Sequence, residues 1–389
     1  MGDSTGDDAA VVTVSPLDSD EAFLVPDYGG RCITELVPVL MRLQELKERD
    51  AVPDWVPPSV ADASNVVLLI LDGLGAEQLA SRSTIAPTMT GMAHSTLTSV
   101  APTTTAAALT SIVTGHTPAE HGVVGYRLRV GGEVLNVLRW TTPSGDARSE
   151  VRPRAFQRLP PFLGQRVPVI SKAEFAHTGF TEAHLFGVDL IGYRLPSSLP
   201  VLIEEALRRR APFVYAYYDG IDAIAHMTGL GAYYEAEVHA TDQFIAEIVD
   251  RLPKGSALVI SADHGQVEVT APPLRIDEEV MVDVEAISGE GRFRWLHARP
   301  GAIGRVATRA KERFGEACWV ETLDELVDAG IFGGPLPDAF RRRLGDVALM
   351  ARAPVAIIDP ADPGDARLIG RHGSLTKDEL IVPLLGAAA

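Results

Sequence analysis

Six side chains of the types that bind metal ions stand just after apolar segments or within short acid- and histidine-containing motifs. They are Asp72, Asp222, His226, Asp263, His264 and His372. Carboxylates combined with imidazoles suit Zn, Mn or Fe(II), and six such ligands can hold two ions with positions left open for substrate. Two divalent ions would turn the formal −3 of the three carboxylates into +1, which attracts a phosphate. The set therefore predicts a two-metal site for a small phosphorylated substrate.

Each of these residues also has an ordinary structural interpretation. Asp72 could cap a helix after its strand, and Asp222 and His226, four residues apart, could make a surface contact on one helix face. A lone histidine late in the chain usually has no ligand role. The adjacent pair Asp263 and His264, followed by a glycine, is more specific. The ordered combination of all six favours the metal site.

A run of three threonines supplies the candidate nucleophile. Residues 103–105 lead directly into the helix-forming segment AAALTSIV, which places their hydroxyls at a helix N-terminus. The helix dipole and the free N–H groups there favour an anion such as a threonine alkoxide. Without the metal ligands, the simpler interpretation is that one threonine only caps the helix. Beside the ligands, a nucleophile is favoured.

Apolar runs alternate with segments of helical period along most of the chain, which is typical of a parallel sheet covered by helices. The pattern predicts an α/β fold. Predicted strands cover 66–71, 167–170, 213–217, 257–261 and 355–358, and predicted helices cover 105–113, 201–210 and 233–251. The candidate ligands then follow the carboxyl ends of strands, where ligands bind in open α/β sheets.

The domain organisation is predicted to be one domain with a tail and an insertion. Residues 1–20 are acidic and poor in large apolar groups, and we expect them to be disordered. Residues 21–389 contain no internal repeat and are expected to form a single catalytic domain. The stretch 266–370 is richer in Gly, Arg and Pro and has its own strand signal at 318–320. This stretch predicts a small inserted cap.

Composition narrows the range of partners. The formal charge of −17, from 35 Lys and Arg against 52 Asp and Glu, repels polyanions, so a nucleic-acid clamp is not expected. No apolar segment approaches the roughly 20 residues of a membrane span, and no secretory signal is recognisable. The 2 cysteines lack CxxC spacing, which suits a reducing compartment. A cytoplasmic protein without a membrane partner is the expectation.

In order and spacing, these motifs resemble the alkaline phosphatase superfamily, and within it the nucleotide pyrophosphatase/phosphodiesterase-like, or type I phosphodiesterase, branch. The resemblance runs from about residue 65 to 385 and includes DG at 72, PTTT, TG and HG within 102–122, D-x-x-x-H at 222, DHG at 263 and HG at 372. It implies an alkaline-phosphatase-like α/β/α sandwich with a central, mostly parallel sheet. The usual metal of the family is zinc.

The resemblance also implies roles for individual residues. Thr105, nine residues before the threonine of TG, matches the nucleophile of the family. The implied ligands of one metal are Asp222, His226 and His372, and those of the other are Asp72, Asp263 and His264 together with Thr105. The implied reaction cleaves a phosphodiester or pyrophosphate bond through a covalent phosphothreonine, with the two ions clamping the attacking and leaving oxygens.

Two positions depart from the family pattern. Relatives that cleave nucleotides commonly follow the nucleophile with Phe-Pro-Asn, whose ring stacks on the base, whereas this chain has three alanines at 106–108. The asparagine that the family places after HG bonds a phosphate oxygen, and its position is matched here by Tyr126. The phenol of Tyr126 or the guanidinium of Arg127 is the expected replacement as a substrate contact.

Several rival functions stay open at this point. A phosphomonoesterase, a phosphonate hydrolase or a phosphosugar mutase of the same superfamily would use the same ions. A monoester carries an extra negative charge that usually calls for a bidentate Arg or Lys, for which Arg127, Arg129 and Lys172 are candidates. A catalytically inactive metal-binding protein is the rival from another class, and the presence of all seven motif residues argues against it.

Overall fold

The computed structural model describes residues 22–47, 52–362 and 365–389. The acidic tail predicted for residues 1–20 lies outside these ranges. Within the ranges described, no helix is both long enough and apolar enough to cross a bilayer.

Strands form a central sheet and four smaller sheets within the described ranges. In chain order, the strands β1 to β19 are Asn65–Leu71, Ala93–Thr98, Arg127–Val130, Glu133–Asn136, Thr141–Thr142, Gly145–Asp146, Pro168–Lys172, Asp189–Tyr193, Phe213–Tyr218, Ser256–Ser261, Val267–Glu268, Leu274–Arg275, Val284–Glu290, Phe293–Ala298, Cys318–Thr322, Val347–Ala351, Ile357–Ile358, Gly370–Arg371 and Ile381–Ala388. The strands predicted at 66–71, 167–170, 213–217, 257–261 and 318–320 are confirmed, with ends that differ by at most two residues.

The helices are mostly short. In chain order, α1 to α17 are Leu36–Leu40, Leu43–Lys47, Pro58–Ala61, Ala76–Ala80, Pro87–Thr90, Thr105–Thr114, Pro118–His121, Pro153–Phe156, Gly179–His184, Leu199–Arg208, Gly220–Thr228, Ala232–Arg251, Glu278–Met281, Ile303–Phe314, Leu323–Asp328, Asp338–Arg341 and Lys377–Leu380. The three predicted helices correspond to α6, α10 and α12. The helix α6 ends at Gly115, which adopts a left-handed conformation with φ of +70° and closes the last turn.

The central sheet positions most of the candidate ligands. Its strand order is β2-β19-β10-β1-β9-β7-β8, and the strands from β10 to β8 in this order pair in parallel. Every residue of β9 and β10 is buried. Strands buried on both faces need apolar side chains at successive positions, which explains their sequences. The predicted α/β sandwich with a mostly parallel central sheet is confirmed.

Two strands near the C-terminus differ from the sequence-based expectation. The strand β19 lies inside the central sheet, antiparallel to both β10 and β2, and sequence reasoning did not identify it. Its Pro383 lies just outside the ladder with β10, whose last pair joins Ser261 to Leu384, so the missing N–H interrupts no bond to that strand. The prediction of a central strand at 355–358 is wrong. Only Ile357–Ile358 is a strand there, and it pairs with β12 in a separate two-stranded sheet.

A second sheet lies within the predicted insertion. Its strand order is β13-β14-β16-β15, and each neighbouring pair is antiparallel. Successive side chains of its central strands face opposite ways: Phe293, Trp295 and Met350 join the main core, whereas Leu296 and Leu349 join a smaller core with α14. One face of the sheet therefore packs on the main core. The interpretation of 266–370 as a cap stays a prediction.

A buried ion pair ties this second sheet to the C-terminal segment. Arg292, in the turn between β13 and β14, forms a bidentate pair with Glu379 of α17, with N to O distances of 2.7 and 2.8 Å. Both side chains are 0% exposed. The other guanidinium bonds of Arg292 go to backbone carbonyls, and Glu379 also accepts from Ser374 and Thr376. The pair is thus fully hydrogen-bonded, as a buried charge requires.

Removing one partner of this pair should destabilise the protein far more than removing a partner of an exposed pair. The substitution Glu379→Gln leaves the charge of Arg292 buried without its counterion, and the free energy of unfolding should fall by about 3–5 kcal/mol. Glu247→Gln, in an exposed pair with Arg251, should change it by less than about 1 kcal/mol. Urea unfolding measures both values. Equal losses would show that burial adds nothing to this pair.

Candidate metal centre

The ends of neighbouring strands bring the candidate ligands together. Five of them follow β1, β9 and β10, either directly or within α11, namely Asp72, Asp222, His226, Asp263 and His264. Because β10, β1 and β9 are adjacent and parallel, their carboxyl ends share one edge of the sheet. The sixth, His372, directly follows β18, which pairs with β11 beyond the end of β10. The structure therefore places all six predicted ligands at one edge.

Each of the three histidines is fixed through its Nδ1 atom. In His226, His264 and His372, Nδ1 lies 2.7, 3.1 and 2.7 Å from a backbone carbonyl oxygen, contributed by residues 370, 265 and 103 respectively. A carbonyl oxygen only accepts, so Nδ1 carries the proton and Nε2 presents a lone pair. A carbonyl partner of this kind orients the ring in many metal-binding histidines.

The imidazole rings lie side by side in the interior. The rings of His264 and His372 are stacked with centroids 3.6 Å apart, and those of His226 and His372 are 5.2 Å apart. Burial, together with the neighbouring His264 and His226, lowers the pKa of His372 well below its ordinary value. His372 is therefore neutral near pH 7, and the neutral ring is the form that binds a metal ion.

Each of the three carboxylates is held through one of its oxygens. The hydroxyl of Tyr217 donates to Oδ2 of Asp72, and the side-chain amide of Gln266 donates to Oδ1 of Asp222 at 2.5 Å. Oδ1 of Asp263 accepts two backbone N–H groups, both at 3.1 Å. These bonds fix each carboxylate in orientation and leave its second oxygen facing the histidines.

Two of the remaining carboxylate oxygens, one on Asp72 and one on Asp263, are better suited to a cation than to a hydrogen-bond donor of the protein. Oδ1 of Asp72 and Oδ2 of Asp263 are buried and have no hydrogen-bond partner among the described residues. Both lie 3.4 Å from Nε2 of His264. Burial and the nearby Asp263 and Asp222 raise the pKa of Asp72 well above its ordinary value, and burial raises the pKa of Asp263. Orphaned buried acceptors are costly, and beside an imidazole lone pair they suit a divalent ion.

The ligand atoms fall into two overlapping groups. Within 4.8 Å of one another lie atoms of Asp72, Asp263 and His264, and likewise atoms of Asp222, His264 and His372. His226 adjoins the second group, since its Nε2 is 3.3 Å from Oδ2 of Asp222. His264 is within reach of both groups, so the assignment of ligands to two separate ions stays a prediction.

Thr105 is the first residue of α6 and faces this cluster. Its Oγ1 lies 3.2 Å from Nε2 of His264. The preceding residue, Thr104, makes no side-chain capping bond, so its hydroxyl leaves the N–H groups of the first turn to an anion. The hydroxyl of Thr103 is engaged elsewhere, with backbone groups of residues 373 and 374 at 3.0 and 2.7 Å. Of these two hydroxyls, only that of Thr105 contacts a candidate ligand among the described residues.

The structure separates the two predicted substrate contacts. Tyr126 lines a cavity of about 530 Å³ that also contains Thr105, and its hydroxyl accepts from the amide of Asn136 at 2.6 Å. Arg127 instead forms a buried ion pair with Asp359 at 2.6 Å. Its positive charge is neutralised inside the protein, which disfavours the contact that the sequence suggested for Arg127.

A second cavity, of about 580 Å³, meets the first at Thr105. Its lining includes the candidate ligands Asp72 and Asp222 and the aromatic side chains of Phe175 and Phe180. The three alanines at 106–108 are fully buried, so the aromatic surface here comes from a different segment than the one the family pattern suggested. The two cavities share the residues Thr105, Leu138, Arg139 and Asp222.

Sequence reasoning missed the residues that surround the ligands. They are Asn136, Arg139, Tyr217 and Gln266. Asn136 and Arg139 are brought close to Thr105 by the hairpin of β3 and β4. No local sequence pattern links this hairpin with the site. Gln266 did carry a signal, because it is the second residue after His264, and Tyr217 lies in β9, just before the segment with Asp222.

Comparison with known proteins identifies the family to which the chain belongs. Residues 66–201 and 194–375 match the family described as type I phosphodiesterase / nucleotide pyrophosphatase. No curated protein sequence matches the chain. Similar solved structures include murine ectonucleotide pyrophosphatase/phosphodiesterase 5, with a TM-score of 0.63 and 14% identity over 84% of this chain and 88% of that one.

Phosphonoacetate hydrolase from Sinorhizobium meliloti 1021, in complex with phosphonoformate, is also similar, with a TM-score of 0.60 and 18% identity over 84% of this chain and 90% of that one. At such identities the structural matches establish the fold, which is that of the alkaline phosphatase superfamily. The family match covers most of the chain. This protein therefore belongs to the type I phosphodiesterase / nucleotide pyrophosphatase family, a hydrolase family of that superfamily.

Proposed function

We propose that this protein is a two-metal phosphohydrolase that cleaves phosphodiester or pyrophosphate bonds through a covalent phosphothreonine on Thr105. One observation carries the proposal: three imidazole Nε2 atoms and three carboxylates converge beside a hydroxyl at a helix N-terminus. Each of these ligand side chains is held through another polar atom. A purely structural cluster would instead have its buried polar atoms bonded to one another.

The proposed ligands form two sets of the kind that zinc prefers, although Mn or Fe(II) suits the same atoms. One set is Asp222, His226 and His372, and the other is Asp72, Asp263, His264 and Thr105. When bound, the two ions supply positive charge and Lewis acidity at the reacting phosphoryl group. They also offset the three carboxylates, for which no Lys or Arg of the described residues serves as a partner in this cluster.

The residues of the chain supply the nucleophile and hold it in place. Oγ1 of Thr105, which in the structure lies within hydrogen-bond distance of Nε2 of His264, loses its proton to solvent and attacks phosphorus. The bond from phosphorus to the leaving oxygen breaks, and that oxygen takes up a proton from solvent. The N-terminal dipole of α6 stabilises the negative oxygens. A water molecule then attacks the phosphothreonine, the bond from phosphorus to Oγ1 breaks, and the hydroxyl is regenerated.

The two cavities favour a substrate with two substituents on phosphorus. Both are lined by Thr105 and Asp222, but their other walls differ, since one includes Phe175 and Phe180 and the other includes Tyr126. A phosphodiester or pyrophosphate places one substituent in each cavity. A monoester has a single substituent and would leave one cavity unused.

A phosphonate is the second candidate substrate, because the similar structures include phosphonoacetate hydrolase with phosphonoacetate bound, beside an inactive form of the murine phosphodiesterase with AMP bound. Zinc-reconstituted enzyme should hydrolyse bis(p-nitrophenyl) phosphate faster than p-nitrophenyl phosphate or phosphonoacetate, since only the diester has two substituents. Chromogenic and phosphate-release assays measure the three rates. A faster monoester or phosphonate reaction would replace the proposed substrate class.

Replacement of Thr105 should abolish turnover while preserving the fold. Thr105→Ala removes the nucleophile, so kcat should fall by at least ~10³-fold, whereas the free energy of unfolding should change by only about 1 kcal/mol. Thr105→Ser should retain part of the activity, because a primary hydroxyl can attack in the same way. The matched control is Thr110→Ala in the same helix, whose Oγ1 bonds only to the carbonyl of Ala106.

Acid quench of the wild type during turnover, followed by peptide mass spectrometry, should locate phosphate on Thr105. Phosphate on Thr103 or Thr104, or near-normal turnover in Thr105→Ala, would contradict the assignment of the nucleophile.

A further inference from the structure

A short turn presents one arginine at the mouth shared by the two cavities. Arg139 is exposed and lines both of them. Its backbone N–H donates to Oδ1 of Asn136 at 3.0 Å, while Nδ2 of Asn136 donates to the hydroxyl of Tyr126 at 2.6 Å. Burial raises the pKa of Tyr126, and the positive charge of Arg139 is among the influences that lower it. Asn136 therefore fixes the turn and the phenol together.

The next residue anchors the turn from the other side. Trp140 is fully buried, and its indole N–H donates to the carbonyl of Val151 at 2.6 Å. Its backbone adopts a left-handed conformation, with φ of +56°. For a bulky residue this conformation costs roughly 1–3 kcal/mol and persists only where the surroundings enforce it. The position of Arg139 at the cavity mouth is thus fixed by contacts on both sides.

The charge of Arg139 is balanced differently from that of its basic neighbours. Lys172 pairs with Asp219 at 2.7 Å, and Arg127 pairs with Asp359 at 2.6 Å. For the guanidinium of Arg139, by contrast, no carboxylate oxygen of the described residues lies within 4.0 Å. In a protein with a net charge of −17, this leaves a positive side chain in the lining of both cavities for an anion to bind.

We propose that Arg139 selects substrates whose organic substituent carries a second anionic group, a carboxylate or a phosphate. The inference rests on the proposed function, because it names the substrate class of the same site. The apolar part of the substituent packs against Phe175 and Phe180 in the 580 Å³ cavity. The anionic group reaches the cavity mouth, where the planar guanidinium can bind it through two parallel hydrogen bonds.

A matched pair of diesters tests this selection. Phenyl p-nitrophenyl phosphate and its 4-carboxyphenyl analogue have the same scissile bond and leaving group and differ only in the second charge. Wild-type enzyme should have the larger kcat/KM for the carboxyphenyl ester. In Arg139→Gln the ratio of the two kcat/KM values should fall by on the order of 10- to 100-fold, as expected for a lost bond between charged groups. Arg139→Lys keeps the charge and should give an intermediate ratio.

The control is Arg154→Gln. Arg154 lies over the ring of Phe186, and its removal should leave both kcat/KM values unchanged. An unchanged ratio in Arg139→Gln, or a wild type without preference for the carboxyphenyl ester, would overturn the selection. If the wild type hydrolyses neither ester and no phosphothreonine is trapped, the proposed function fails instead.

A second, independent observation concerns Gln266. This residue is 1% exposed, and its Nε2 donates to Oδ1 of Asp222 while its Oε1 is buried without a partner among the described residues. The reverse amide orientation would set an oxygen against a carboxylate. Gly73 leaves room for this contact, because a Cβ there would lie 2.8 Å from Nε2 of Gln266. An orphaned buried carbonyl costs roughly 1–3 kcal/mol, so packing alone does not explain a glutamine here.

We infer that Gln266 is a positioning residue for the metal centre. It holds Oδ1 of Asp222, so that Oδ2 is directed toward Nε2 of His226, 3.3 Å away. This inference rests on the proposed metal site, and Gln266 itself is not a ligand. Fixing the second oxygen of a ligating carboxylate preserves its orientation when the ion leaves, which strengthens rebinding.

Calorimetric titration of chelator-treated protein with Zn²⁺ tests the role of Gln266. Wild type should bind two ions, and Gln266→Met, which keeps the side-chain length but removes the donor, should bind one of them about 10- to 100-fold more weakly. Gln157→Met is the control: this buried amide bonds only to backbone groups, so its loss should lower the thermal midpoint without changing either affinity.

Unchanged Zn²⁺ affinities in Gln266→Met would refute the positioning role. Fewer than about one ion bound by the wild type would refute the metal site itself.

Discussion

The gathering of carboxylates at the ends of three adjacent parallel strands is the constraint on which this structure depends. Asp72 and Asp263 are almost completely buried, and a carboxylate in the interior is tolerated only when its charge is compensated. The protein satisfies one oxygen of each with its own donors and directs the other inward. The register of β10, β1 and β9 then determines how closely these oxygens approach one another, so that the geometry of the sheet sets the geometry of the candidate metal centre.

The sequence was sufficient to predict the sheet interior and to single out candidate ligands that the structure brings together, because both leave local signals. Asp72 and Asp263 follow runs that are apolar at nearly every position, and such runs mark strands buried on both faces. The strand β19 was missed because its sequence, IVPLLGAA, contains Pro and Gly and resembles an irregular terminus. Residues 355–358 form an equally apolar run, yet they pair outside the central sheet, since an apolar run specifies burial and not the partner strand.

Side-chain partnerships between distant segments could not be predicted. Arg127 is one of two adjacent residues predicted to contact the substrate, but its guanidinium pairs with Asp359, 232 residues away. Conversely, the chain has alanines at 106–108, where the family pattern includes an aromatic residue. The aromatic surface of the cavity comes instead from Phe175 and Phe180. The candidate metal centre is thus determined by strand ends, whereas the cavity walls beside it are built largely from loops, whose sequences can vary without disturbing the sheet.

The pair between Arg292 and Glu379 has a consequence for how such a protein can change over time. The second sheet supplies the arginine, and the glutamate belongs to the segment that follows His372, so the predicted insertion and this candidate ligand share one anchor. The predicted insertion is therefore not an exchangeable module. A descendant that lost it would leave Glu379 without its cation close to the candidate ligands, which makes deletion of this region a change that evolution can accept only together with a new partner for Glu379.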